Sequence, residues 1–275
     1  MPFDILRRLL TPFANPVPTS RYPLDAPLLA PAARGLPQVD LAACGTRVSC
    51  ALACAAACPT HAIDALDGGW TVDAGRCLFC AACVDACPNE AVSMSRRVEL
   101  ASAERSDLLM SSIAPGADAM DADRLRARLH ARFGRSVHVR HLDAGSCNGC
   151  DWEINALLNP YHDIQRLGVD FVASPRHADV LLVTGAMTRN LEEAALRTFE
   201  AMPEPRLVVA VGACAISGGV FAGSPAVRSG AAEVLPVDVF VPGCPPRPEA
   251  IAEGILLAAD RDRLSADAPA ATVRS

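Results

Sequence analysis

The sequence predicts an α/β protein in two parts, a small cysteine-rich α+β unit followed by a doubly wound parallel sheet. Two observations carry this. From residue 136 onward, short apolar or β-branched runs alternate with segments of helical periodicity, the pattern of a parallel sheet covered by helices on both faces. Before residue 96, eight cysteines fall in two closely spaced runs that repeat internally.

Each segment has its own reading. Residues 1–39 form an extended N-terminal arm, because Pro23, Pro27, Pro31 and Pro37 break any periodicity. Ahead of those prolines, residues 3–13 suit a short amphipathic helix with Ile5, Leu6, Leu9, Leu10 and Phe13 on its apolar side, for docking on the chain itself or against a membrane or partner subunit. Residues 40–95 hold the paired cysteine runs, and Cys54-x3-Cys58-Pro-x2-Ala-Ile repeats as Cys83-x3-Cys87-Pro-x2-Ala-Val. Residues 96–135 are a charged linker with a helix expected over 122–133. Within 136–260, strands are expected over 137–142, 171–173, 180–184, 207–211 and 237–241, and helices over 152–158, 191–202 and 249–259. Residues 261–275 are a C-terminal tail.

Composition narrows the function classes. Half of the chain is hydrophobic (51%), ample for two cores, and the net charge of −6 comes without a basic block, so nucleic acid is not an expected partner. All 25 basic residues are arginine, which removes lysine Schiff-base and Walker-type chemistry. No run of 18 apolar residues exists to span a bilayer. Arg7-Arg8 resembles a twin-arginine signal, but Pro12, Pro16 and Pro18 stand where an apolar stretch should follow, so export is not expected. Thiolate clusters without a signal favour the cytoplasm.

All 12 cysteines fit one kind of chemistry. Cys77, Cys80, Cys83 and Cys87-Pro88 make C-x2-C-x2-C-x3-C-P, the bacterial ferredoxin run for [4Fe–4S] clusters. Cys44, Cys50, Cys54 and Cys58-Pro59 form a degenerate copy spaced C-x5-C-x3-C-x3-C. Cys147, Cys150, Cys214 and Cys244 lie far apart in sequence, yet follow the first, fourth and fifth strands of the second unit, so they meet at the carboxyl rim of the sheet, where ligands bind in such folds. Three sets of four thiolates imply three clusters and an electron carrier. A disulfide scaffold is disfavoured by the low cysteine density; for the last set, tetrahedral zinc stays open on spacing alone.

The rim loops carry Gly145, Gly149, Gly212, Gly218, Gly219 and Gly243, which allow close backbone approach to a cluster's sulfurs. A phosphate cradle is the rival, but neither G-x-G-x-x-G nor G-x-x-x-x-G-K-[ST] occurs. Pro242, Pro245 and Pro246 stiffen the turn around Cys244. Asp151 and Glu153, beside Cys150, either relay protons or favour a helix N-terminus. His61, His138 and His141 are expected to be structural, and Trp70 to pack between the small unit's hairpin and the core.

Three stretches carry a family resemblance: Gly145-Ser-Cys-Asn-Gly-Cys-Asp-Trp-Glu153, Gly212-Ala-Cys-Ala-Ile-Ser-Gly-Gly-Val-Phe221 and Val241-Pro-Gly-Cys-Pro-Pro-Arg-Pro-Glu-Ala-Ile251. They resemble the small electron-transfer subunit of membrane-bound group 4 [NiFe] hydrogenases, formate hydrogenlyases included, itself related to the complex I subunit that carries the cluster next to quinone. Residues 1–95, with the Arg34-Gly35-x-Pro37 lead-in, resemble the separate ferredoxin-like subunit of the same complexes, here fused. The resemblance implies a two-cluster ferredoxin-like domain joined to a flavodoxin-like sheet, and it makes Cys147, Cys150, Cys214 and Cys244 ligands of the cluster nearest a partner's active site. In two-cluster ferredoxins the fourth cysteine of each run crosses over. Cys77, Cys80 and Cys83 are then expected to join Cys58, and Cys44, Cys50 and Cys54 to join Cys87, the degenerate spacing putting that last cluster in question.

Cys147-Asn-Gly-Cys150 has the hydrogenase-like form, whereas complex I relatives usually open with adjacent cysteines. The expectation is therefore an oxidoreductase subunit without nickel of its own, feeding electrons to a [NiFe] hydrogenase-like large subunit alongside other soluble and membrane subunits. It would sit in the cytoplasm, peripheral on the inner face of the cytoplasmic membrane. A complex I-like quinone reductase subunit and a free multi-cluster carrier are the alternatives.

Overall fold

The computed structural model describes residues 17–44, 52–65, 69–111 and 136–260. The helices expected over 3–13 and 122–133 and the tail over 261–275 lie outside the described residues.

The cysteine-rich unit comprises β1 (Pro37–Val39), α1 (Leu41–Cys44), α2 (Ala53–Ala56), β2 (Ile63–Asp64), β3 (Thr71–Asp73), α3 (Ala82–Asp85), β4 (Val92–Met94) and β5 (Leu109–Ser111). Its strands make two small antiparallel sheets, β1 with β4 and β2-β3-β5. The internal repeat is written into the backbone. Leu52 and Ala81 precede α2 and α3 with φ of 58° and 70°, and His61 and Glu90 follow the two Cys-Pro pairs at 49° and 50°. Left-handed conformations are uncommon away from glycine, so their matched recurrence marks two copies of one cysteine-wrapping turn.

The second unit comprises β6 (Val137–Asp143), α4 (Gly149–Ala156), β7 (Val169–Phe171), β8 (Val180–Thr184), α5 (Arg189–Glu200), β9 (Leu207–Val211), α6 (Gly212–Ser217), β10 (Val239–Val241) and α7 (Pro248–Asp260). The five strands are parallel in the order β10-β9-β8-β6-β7. This is the flavodoxin-like order, with its topological switch between β6 and β8. Alternate residues serve opposite faces. Leu181, Val183, Val208 and Ala210 pack with Ala195 of α5 and with Ala215 and Ile216 of α6. Val180, Leu182, Val209 and Val211 pack with Ile154 of α4 and with Ile251, Ile255 and Leu256 of α7.

Some bounds differ from expectation. The strand expected over 171–173 is Val169–Phe171, because Val137–Val139 pairs with residues 169–171 and the polar Asp170 fits that edge. The helix expected from 152 begins at Gly149, which puts Cys150 in its first turn. The last strand is Val239–Val241, the shorter core of the expected 237–241.

The two units share one core. Trp70, 5% exposed, joins Val72, Ala74 and Leu108 in the cluster that continues onto the α5 and α6 face of the large sheet. At the seam, a Cβ on Gly75 would fall 2.7 Å from Ile216 Cγ2, so only glycine lets the loop approach α6 so closely. Ser217 Oγ donates to Gly75 O at 3.0 Å, Arg105 pairs with Asp73 at 2.6 Å, and Ser102 exchanges two backbone hydrogen bonds with Phe240 of β10. The arm straps both units. Ser20 N donates to Tyr161 O, Arg166 holds Tyr22 O, and farther on Arg96 holds Leu29 O while Gly35 N donates to Ser95 O.

Candidate iron–sulfur sites

Four sulfurs of the small unit come together. Cys58, Cys77, Cys80 and Cys83 line one cavity with Pro59, Ile63, Leu78 and Phe79. The chain reaches it through a turn in which Asp73 Oδ1 accepts from Gly75 N at 2.9 Å, followed by left-handed Phe79 and Ala81. Amides point toward sulfur in both turns: Phe79 N donates to Cys77 Sγ at 3.4 Å and, after left-handed His61, Ala62 N donates to Cys58 Sγ at 3.2 Å. Burial, with the neighbouring thiols, pushes Cys77 up to about 12 and Cys83 up to about 11. Thiols so placed do not ionise unaided, whereas a coordinated cation deprotonates them outright. The four cysteines line one cavity, an arrangement that suits a polynuclear iron–sulfur cluster.

The companion half is described in part, since Cys50 lies outside the described residues. Cys54 is buried in α2, Cys44 ends α1, and Asn89 Nδ2, two residues past Cys87, donates to Cys44 O at 3.4 Å. Burial is the largest single influence on Cys87 and raises it, but the amides of Asn89, Val92 and Ala91 together outweigh it and lower the thiol below its ordinary value. That amide cage is the same hydrogen-bond device that stabilises a thiolate ligand.

At the sheet rim, Cys147 sits in the loop after β6, Cys150 in the first turn of α4, Cys214 in α6 directly after β9, and Cys244 three residues past β10. Ala213 N donates to Gly243 O at 2.8 Å, tying the second and third loops together. Burial comes first and the other rim thiols next in raising Cys150 and in lifting Cys214 to about 11. The glycines form a cradle: a Cβ on Gly212 would lie 2.7 Å from Cys150 Sγ, and one on Gly219 2.9 Å from Cys214 Sγ. Cys244 is raised by burial, then by Cys147, then by Cys80. Cys80, Cys147 and Cys244 are the exposed thiols among the described residues.

The two acids differ in setting. Asp151 is held by Thr184 Oγ1 at 2.9 Å, Ser146 Oγ at 2.7 Å and His141 Nε2 at 3.0 Å, with Thr184 wholly buried. Burial lowers the His141 imidazole, against the pull of Asp151. Burial raises the Glu153 carboxyl, opposed by Arg247 and reinforced by Glu249. His138 Nδ1 lies 3.0 Å from His177 O at the strand edge, and His61 is the left-handed residue of the Cys58-Pro turn.

Arg34-Gly35 and the segment with Arg247 and Glu249 belong to stretches that carry the resemblance, but their contacts, and those of Thr184 and Ser146, were not legible. Arg34 Nη1 donates to Cys80 O at 3.0 Å, and a Cβ on Gly35 would strike Arg97 O at 2.2 Å, so the Arg34-Gly35 pair docks the arm beside the cysteine turn. Thr184 at the end of β8 and Ser146 in the loop after β6 orient Asp151. Arg247 and Glu249 close around Glu153 from the start of α7.

Comparison with known proteins agrees with this geometry. Residues 147–258 match the family described as "NADH ubiquinone oxidoreductase, 20 Kd subunit", and residues 70–93 match the "4Fe-4S binding domain". The chain is 51% identical over 135 residues to the "Probable membrane-bound hydrogenase subunit mbhJ" of Pyrococcus furiosus, covering 49% of this chain and 81% of that one. It is 45% identical over 134 residues to "Formate hydrogenlyase subunit 7" of Escherichia coli, 49% of this chain and 52% of the relative. A subunit of the NADH-quinone oxidoreductase of Desulfovibrio desulfuricans is 48% identical over 107 residues, 39% of this chain and 58% of the relative. These relatives are oxidoreductase subunits, the matched domains bind iron–sulfur clusters, and no helix among the described residues is long and apolar enough to cross a membrane. The chain belongs to the family of the 20 kDa subunit of NADH ubiquinone oxidoreductase, in company with membrane-bound hydrogenase subunits.

Proposed function

We propose that the chain is the iron–sulfur electron-transfer subunit of a membrane-associated [NiFe] hydrogenase complex of the formate hydrogenlyase kind. The observation that carries it is the Cys147-Asn-Gly-Cys150 opening of the rim set, the hydrogenase-like form, in a domain 51% identical to a membrane-bound hydrogenase subunit. Cys58, Cys77, Cys80 and Cys83 hold one [4Fe–4S] cluster, Cys44, Cys50, Cys54 and Cys87 a second, and Cys147, Cys150, Cys214 and Cys244 the proximal one. Each supplies one-electron chemistry when bound. The chain's own groups hold the ligands, exclude water through the shared core, and present Cys147 and Cys244 at an exposed face for a partner.

Nickel belongs to the partner large subunit, since every cysteine here is already assigned. Asp151 and Glu153 stand ready to pass protons toward that face. The complex would lie on the cytoplasmic side of its membrane, this chain attached through other subunits. Co-purification of the native complex, with nickel analysis and viologen-driven hydrogen evolution, tests the reading. Nickel with hydrogen evolution is expected. A nickel-free complex that reduces quinone with inhibitor sensitivity would transfer the chain to the complex I-like reading, which the NADH-quinone oxidoreductase relatives keep in view.

A further inference from the structure

A cleft of about 480 Å³ opens at the seam of the two units, lined by Asp73, Arg76, Arg105, Ser217 and Ser229 among others. Its volume falls in the range of small-molecule sites, roughly 300–1,000 Å³. It sets two guanidiniums against one carboxylate. Asp73 is already committed, since Oδ1 accepts from Gly75 N at 2.9 Å and Oδ2 pairs with Arg105 at 2.6 Å, the Asp73 side chain being only 12% exposed. No acceptor among the described residues reaches the Arg76 guanidinium, which leaves the cleft one positive charge in excess. An arginine in a concave wall offers a planar pair of donors, the geometry that suits a carboxylate or phosphate group.

The wall of this cleft is shared with the sulfur cavity of the small unit. Residues 73–77 run from the cleft to the cavity lined by Cys58, Cys77, Cys80 and Cys83. Arg76 directly precedes Cys77, and its carbonyl accepts from Thr60 Oγ1 at 2.7 Å, itself 3.8 Å from Cys58 Sγ. On the other side, Ser217 Oγ holds Gly75 O at 3.0 Å from the end of α6, the helix that carries Cys214. The loop that bears Arg76 is therefore pinned to both units.

We propose that this cleft is an oxyanion site, taking the phosphate or carboxylate group of a small soluble molecule on Arg76, and that the bound charge makes the neighbouring cluster harder to reduce. The second clause rests on the reading of Cys58, Cys77, Cys80 and Cys83 as cluster ligands. Its sign follows from electrostatics: reduction adds negative charge, which an anion beside Cys77 opposes. By linkage, reduction weakens anion binding by the same factor. The concentration of the anion thereby sets how readily electrons enter the small unit.

Titration calorimetry of the native complex and of the full chain, with ionic strength held constant by chloride, tests the site with inorganic phosphate and with succinate as probes. One saturable site per chain is expected, and the probe that fills it identifies the class of group bound. Arg76→Gln should weaken binding at least about tenfold, the worth of one charge-assisted hydrogen bond, while Arg76→Lys should keep part of the affinity. Redox titration should find the midpoint potential of one ferredoxin-type EPR signal lowered by saturating probe, and Arg76→Gln should remove that response. Binding that chloride displaces equally well, or that Arg76→Gln leaves unchanged, is an adventitious ion only and overturns the site. Binding to the full chain but not to the native complex overturns it in favour of a partner's acidic side chain in the cleft. A saturable site without a shift in potential overturns the control of reduction. Absence of every ferredoxin-type signal overturns the electron-carrier reading, while the calorimetry still decides the site.

Discussion

Gly212→Ala probes the cradle at its tightest point. Gly212 has φ +88°, and an added Cβ would lie 2.7 Å from Cys150 Sγ. The left-handed backbone alone costs an alanine about 1–2 kcal/mol. Contact distances of roughly 3.5–4.0 Å mean that the sulfur must also retreat by about 1 Å. A free thiol meets that demand by rotating about χ1, whereas a sulfur bonded to a cluster cannot. The penalty therefore depends on occupancy. In the holoprotein, Gly212→Ala should lose the proximal cluster, read as about 4 fewer irons per chain and loss of one EPR signal. In a Cys150→Ala background the same change should cost only the backbone strain, read from chemical denaturation. Full iron content with an unaltered EPR spectrum in Gly212→Ala would refute the placement of Cys150 as a cluster ligand in this cradle.

Two further outcomes concern content and pH. Anaerobically purified protein should contain about 12 iron and 12 sulfide per chain by the four-thiolate rule, checked by colorimetric assay; about 8 of each would show the degenerate Cys44, Cys50, Cys54 site empty, and stoichiometric zinc without sulfide would overturn the electron-carrier account. Glu253 is raised by burial from 4.5 to about 7, against the Ala101 amide that bonds it. A raised folded-state value means that its stabilising contribution is complete below about 4.5 and is lost as pH rises through about 7. Melting curves from pH 4.5 to 7 should show Glu253→Gln free of this loss, which amounts to roughly 3 kcal/mol at most; parallel curves would contradict it.

The parallel sheet was legible because β8 and β9 are buried on both faces and so read as unbroken apolar runs, Val180–Thr184 and Leu207–Val211. The rim was legible for a related reason, since cysteines just past three parallel strands must share one end of the sheet. Helix starts were less clear. Gly149 and Gly212 open α4 and α6, Gly212 because its backbone passes close to Cys150 Sγ, and glycine there reads as loop. The short α6 has neither the length nor the caps that announce a helix. The pairing of β5 with β3 and of Ser102 with Phe240 depends on residues far apart in sequence, which periodicity does not connect. Asp151 was visible as an acid beside a cysteine. Its partners His141 and Thr184 were not, because they meet only across the β6–β8 switch.

In the proposed function, electrons pass from the ferredoxin-like unit to the cluster held by Cys147, Cys150, Cys214 and Cys244 and out to a partner. Cys244→Ser in the assembled complex tests this most directly, by low-temperature EPR of the reduced protein together with donor-driven turnover. Loss of one cluster signal, retention of the ferredoxin-type signals and collapse of turnover is the predicted result. Unchanged turnover with that signal gone would place the electron path elsewhere and contradict the account.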